Sequence, residues 1–208
     1  GDIYASQQGQ TYRAIPYYTM SVIAGAEEPL IYLNLLKLLV YAGKYKEALS
    51  VLHEWYDSRK KKPKATYRFS KMRRPQRYKA DLNMIQLICE LIVSPGSAEE
   101  LMHKVHLVEA DHVTMYLIHL LLLLVQTRYD DTMMNVCRRS LEGVKALDAY
   151  AKQCHDHVTS SGELVLMSAI ARMAIWNGFY VEARSFLNLL SQAPEVAVQD
   201  AVSLLENE

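Results

Sequence analysis

The chain has 208 residues, half of them apolar and 22% charged, and its 23 Lys and Arg are balanced by 23 Asp and Glu. With only eight glycines and six prolines, this composition excludes a disordered tail and fits a well-packed, mostly helical domain. No apolar run reaches the ~20 residues needed to span a bilayer, and three cysteines in unrelated segments, Cys89, Cys137 and Cys154, point away from a disulfide framework and towards a reducing compartment.

Residues 1–29 are expected to form an N-terminal extension or a first helix. From Leu30 a helix-periodic apolar run leads to Ala42, and the punctuation Gly43-x-Tyr45-x-x-Ala48-x-x-x-Leu52-x-x-Trp55 follows. Residues 30–58 are therefore expected to be a helix, a tight glycine turn and a second helix. The small Ala48 lets the first helix approach closely, and the large residues beyond it fill the space between neighbouring pairs.

Residues 59–79 read RKKKPKATYRFSKMRRPQRYK, eleven Lys or Arg with no acid, which leaves twelve basic and 23 acidic residues, a net −11, on the rest of the chain. Pro63 and Pro75 disfavour a continuous helix, so the stretch is expected as a long inserted loop. Lys60, Lys61, Lys62, Arg68, Arg73, Arg74 and Arg77 are its candidate anion-binding residues. Three roles fit them: neutralising phosphates of RNA while Tyr67, Phe69 and Tyr78 stack on bases, meeting an anionic membrane surface or acidic partner, or folding back onto the acidic remainder of the chain.

Residues 80–194 are expected to hold further helix pairs. One spans roughly 80–93 and 97–110, joined at Ser94-Pro95-Gly96. Next come an apolar helix over Val113 to Val125, interrupted by His119, and a long helix starting near Met133. The run Leu164 to Ile175 then leads into Gly178-x-Tyr180-x-x-Ala183-x-x-x-Leu187-x-x-Leu190, a second copy of the first punctuation. Residues 195–208 begin another amphipathic helix, with Val198, Ala201, Val202 and Leu205 on one face. The chain is read as a fragment of a longer protein, and that last stripe is expected to be covered by downstream sequence, a second copy or a partner.

The segments IYLNLLKLLVYAGKYKEALSVLHEW and LMSAIARMAIWNGFYVEARSFLNLL resemble the tetratricopeptide family, with Tyr32, Leu35, Gly43, Tyr45 and Ala48 in the first copy and Ala171, Gly178 and Ala183 in the second. A third segment, MYLIHLLLLLVQTRYDDTMMNV, keeps Tyr116 and Tyr129 but puts Thr127 and Thr132 where glycine and alanine belong. The resemblance implies an all-α, TPR-like α-solenoid of antiparallel helix pairs. Its inner groove would be lined by Asn34, Lys37, Tyr41, Leu117, Leu121, Ser168 and Arg172. With leucines at the intermediate copy this departs from the family's carboxylate clamp, and it suits an amphipathic helix or a neighbouring subunit better than an acidic peptide.

The order of helix pair, basic insert ending in RRPQRYKADLNMIQLICELI, AEELMHKVHLV and two further pairs is similar to the C-terminal helical region of the subunit-12 family of the TRAPP vesicle-tethering complex. That resemblance implies a cytoplasmic trafficking role at Golgi or other endomembranes and brings no catalytic residues.

His103, His106 and His112, and the cluster Cys154, His155 and His157, lack the paired spacing of a four-ligand zinc site. No glycine-rich phosphate loop, nucleophile elbow or HExxH is present. The expectation is a non-enzymatic scaffold that binds protein subunits of a larger assembly, with no metal, cofactor or small-molecule substrate. The alternative is an RNA-associated helical-repeat protein contacting phosphates through residues 59–79.

Overall fold

The computed structural model describes residues 2–26, 28–61, 75–94, 112–127, 134–140 and 161–207. Among these residues every regular element is a helix and no strand occurs. In chain order they are α1 (Asp2–Ala5), a 3-10 turn (Thr11–Arg13), α2 (Ala14–Ile23), α3 (Pro29–Tyr41), α4 (Tyr45–Lys61), α5 (Pro75–Val93), α6 (His112–Thr127), a helical stretch at 134–140, α7 (Ser161–Trp176), α8 (Tyr180–Ser191) and α9 (Val196–Glu206). None of these helices is long and apolar enough to cross a membrane.

The duplicated punctuation forms two turns of one kind. Gly43 has φ +73° and Gly178 φ +80°, a left-handed conformation that costs a residue with a Cβ but not glycine. At the first turn Gly43 N–H donates to Val40 O at 2.9 Å and Lys44 N–H to Leu39 O at 2.8 Å. At the second, Gly178 N–H donates to Ile175 O at 2.9 Å and Phe179 N–H to Ala174 O at 2.8 Å. This crossed pair of bonds satisfies carbonyls that the last helical turn leaves open and reverses the chain within three residues. α3 therefore packs antiparallel on α4, and α7 on α8. Ala48 and Ala183, one turn into each second helix, are fully buried at those contacts.

The first helices of the pairs meet in the interior. α7 packs against α3, α5, α6, α8 and α9, and from Leu164 to Ile175 only Met167 is even half-exposed. A helix covered on so many sides has to be apolar nearly all round, as this one is. Fully burying one such leucine or isoleucine contributes roughly 1.5–3 kcal/mol, so this helix anchors the core. α3 touches α5 and α7 directly, so the first and last punctuated pairs lie side by side rather than at opposite ends of a row.

Three boundaries differ from the sequence reading. α4 continues to Lys61 and α5 begins at Pro75, so both ends of the expected 59–79 loop are helical. Pro75 opens α5 instead of interrupting it, because proline at a first helical position sacrifices no hydrogen bond. Residues 62–74, most of the basic stretch, lie outside the described residues, as do 97–110 and the Cys154, His155 and His157 cluster. The N-terminal 29 residues hold three elements rather than one helix. Their α2–α3 turn is a third instance of the same device, with Gly25 N–H bonded to Val22 O and Ala26 N–H to Ser21 O, both at 2.9 Å.

The last helix corrects an expectation outright. Val198, Ala201, Val202 and Leu205 of α9 are all buried, because α9 folds back onto α3, α7, α8 and the 3-10 turn. Its apolar stripe is covered within the chain itself.

Candidate functional site

The inner faces of α3 and α7, where a partner groove was expected, are filled from within. α2 packs on one side of α3, and α9 lies across α3 and α7. Of the seven residues expected to line the groove, Tyr41, Leu117, Leu121, Ser168 and Arg172 are buried, and Asn34 and Lys37 are half-buried. Asn34 meets the Tyr18 hydroxyl of α2. Lys37 pairs with Glu195 at 3.3 Å, at the start of α9. Among the described residues these side chains line no open groove: α2 and α9 pack on α3, α9 also packs on α7, and Leu117 and Leu121 of α6 are buried.

Arg172 has a specific structural task. Its Nη1 donates to Tyr41 O at 3.0 Å and reaches Val40 O at 3.5 Å. These are carbonyls of the last turn of α3, where a cation complements the negative end of the helix dipole. The same Nη1 lies 2.6 Å from where a Cβ on Gly43 would sit. The turn glycine of the first pair thus makes room for an arginine of the last pair.

Two buried carboxylates fasten other ends. Asp200 of α9 accepts from Gly9 N–H at 2.7 Å, from Thr11 N–H at 3.1 Å and from the Thr11 hydroxyl, which ties the N-terminal segment to the C-terminal helix. Asp81 of α5 accepts from Gly162 N–H at 3.0 Å and so caps the start of α7 from a neighbouring helix. Sequence reasoning marked neither residue. The available signal was a lone acid in an otherwise uncharged helical stretch, VAVQDAVSLL for Asp200.

The titratable groups behave as packing elements. Burial pushes the Cys89 thiol well up and, more modestly, the Cys137 thiol, so neither is poised as a thiolate nucleophile. Burial also raises the Tyr41 phenol well above its ordinary value, with the charges of Glu195 and Asp81 adding to the effect. Tyr18 is pushed up to about 12 by burial and by its hydrogen bond to Asp2 Oδ1, 2.6 Å long. Among the described residues no three His, Cys, Asp or Glu side chains converge as metal ligands.

Among the described residues the surface carries two apolar clusters. At the α7–α8 turn Trp176, Tyr180 and Val181 are 46%, 67% and 71% exposed. The end of α6 meets this turn through Asn177 Nδ2, which donates to Leu124 O at 2.8 Å. The stretch 134–140 adjoins both: Cys137 meets Thr127 and feels the charge of Glu182, and Val136 is exposed. The second cluster is on α1 and α2, where Ile3, Tyr17, Met20 and Ile23 face outward. Of the expected anion-binding residues, Lys60 and Lys61 fall in α4 and Arg77 in α5, while Lys62, Arg68, Arg73 and Arg74 lie outside the described residues.

No family model matches this chain, and neither does any curated protein or solved structure.

Proposed function

We propose that the chain is a non-enzymatic helical-repeat scaffold that docks protein subunits within a larger intracellular assembly of the vesicle-tethering kind. In this proposal its TPR-like pairs wind so tightly that α3 of the first pair reaches α7 of the last, which leaves the outer turns as the docking surface. The observation that carries the proposal is the exposure of Trp176, Tyr180 and Val181 together at the hydrogen-bonded α7–α8 glycine turn. Large aromatic and aliphatic side chains exposed together on a fixed element suit the buried centre of a protein interface, where a few such anchors carry most of the binding energy. The partner offers an apolar face, and the site belongs to the cytoplasmic side of endomembranes.

Capture from cells tests it. Tyr180→Asp combined with Val181→Asp changes only exposed side chains, so helical content should hold while co-purifying tethering subunits are lost. Recovery of RNA-processing factors in an RNase-sensitive manner, unaffected by these substitutions, would replace the proposal with RNA binding through residues 59–79.

A further inference from the structure

We propose that α2 pairs with α2 of a second copy of this chain, antiparallel, with Met20 on the two-fold axis. The pairing uses residues other than those of the α7–α8 turn and goes beyond the scaffold proposal.

From Ala14 to Ala26 the chain carries no charged residue. The inner face of α2, Ala14, Tyr18 and Val22, is buried against its own fold. Its outer face is nevertheless apolar too: Tyr17, Met20 and Ile23 follow each other at intervals of three and are 50%, 65% and 70% exposed. The helix's polar side chains add little polarity there, because Thr19 and Ser21 turn their hydroxyls onto the carbonyls of Ile15 and Tyr17, at 2.9 and 3.0 Å. A solvated helix face ordinarily carries charges, and this one carries none.

The pattern is self-complementary. Tyr17 and Ile23 stand three residues on either side of Met20, so a two-fold through Met20 sets Tyr17 of one copy against Ile23 of the other. The exposed Arg13 stands at the N-terminal end of α2, and the exposed Glu28, the N-cap of α3, stands just past the turn at its other end. An antiparallel pairing therefore brings the basic end of one α2 towards the acidic end of its mate. Arg13 occupies the N-cap of α2, where the helix dipole disfavours a cation, so its own helix does not account for it. An isologous interface requires one patch that complements itself in this way.

The patch is also held firmly. Tyr17 stacks on Tyr4 with ring centroids 5.2 Å apart, Tyr18 is hydrogen-bonded to Asp2, and Asp200 pins the segment just before α2. A surface already ordered loses little entropy on binding. Ten residues of helix bury on the order of a few hundred Å² per copy, below the ~800 Å² of a standard stable interface, so the association is weak and concentration-dependent.

Sedimentation velocity from about 10 µM to about 1 mM spans the expected high-micromolar dissociation constant. Met20→Glu, which sets two like charges against each other on the axis, should leave only monomer with helical content unchanged. Arg13→Glu and Glu28→Arg should each weaken the dimer, and the two together should restore it. Met20→Cys should cross-link copies under mild oxidation far faster than Ser203→Cys, an exposed control on α9. A chain that stays monomeric throughout, a dimer that survives Met20→Glu, or a double charge swap without rescue would overturn the proposal. Loss of subunit capture by the α8 variants is read separately, so failure of one proposal is distinguishable from failure of the other.

Discussion

Arg172 and Gly43 share one small volume. The arginine's Nη1 bonds the Tyr41 carbonyl at 3.0 Å and stands 2.6 Å from the point where a side chain on residue 43 would begin. Gly178, the matching turn residue of the last pair, has the same left-handed backbone, but no atom of the described residues lies within 4 Å of its Cβ position. The two glycines therefore separate backbone strain from crowding. Gly178→Ala should cost about 1 kcal/mol, the left-handed penalty alone. Gly43→Ala should cost about 2–4 kcal/mol, because it also drives a buried guanidinium off its carbonyl. Urea unfolding measures both, and in an Arg172→Ala background the gap between them should close.

Much of the architecture was legible because it rests on short-range rules. A glycine in the left-handed region, an early small residue and apolar periodicity placed the turns at Gly43 and Gly178 and buried Ala48 and Ala183. The Ala24-Gly25 pair carries the same signal as Ala42-Gly43, but it follows a helix with no clean amphipathic period, so α2 went undivided. The groove was misplaced for a long-range reason. Whether Lys37 faces solvent depends on where α9 lands, and that landing is set by contacts between residues more than a hundred positions apart, Asp200 with Gly9 and Glu195 with Lys37, while Arg172 is taken up by an equally distant carbonyl, that of Tyr41. The helical periodicity of α9 declared an apolar face, but it did not say that the face would return to the same fold.

Ala48 and Ala183 supply a packing test. Each is fully buried where the second helix of a pair crosses the first, so Ala48→Leu and Ala183→Leu should overpack and lower stability by about 1–3 kcal/mol each. Ala80, exposed near the start of α5, is the matched control. Ala80→Leu should leave the thermal midpoint almost unmoved. Equal tolerance at all three positions would contradict the close helix contact.

Asp200 should govern the N-terminal segment specifically. Its carboxylate accepts from two backbone amides and one hydroxyl, and hydrogen bonds to a charged group contribute a net of roughly 1.5–3 kcal/mol each. Asp200→Ala should loosen the segment around the 3-10 turn ahead of the core. Trypsin cleavage after the exposed Arg13 should then accelerate by about tenfold, as expected for a lowered local opening energy. An unchanged cleavage rate at Arg13 would show that α2 packing alone holds the segment.

Tyr41 links burial to alkaline stability. Its hydroxyl is buried with no hydrogen-bond partner among the described residues, as is that of Ser168, so neither polar atom recovers there the cost of leaving water. Tyr41→Phe and Ser168→Ala should therefore be neutral or stabilising by up to about 1 kcal/mol, although both residues sit at the centre of the fold. The pH dependence follows from the raised phenol. In the unfolded chain tyrosine gives up its proton near pH ~10, whereas the folded chain keeps the Tyr41 proton to higher pH. Above pH ~10 the unfolded state thus binds fewer protons than the folded one, and stability falls as pH rises, by up to about 1.4 kcal/mol per unit for each such group. Tyr18, raised to about 12, contributes in the same direction. Urea midpoints taken between pH ~9 and ~11 should drop for the wild type, and Tyr41→Phe should remove part of that drop without altering the plateau slope near neutrality. Identical alkaline losses in the wild type and Tyr41→Phe would mean that the phenol ionises as freely in the fold as in the unfolded chain.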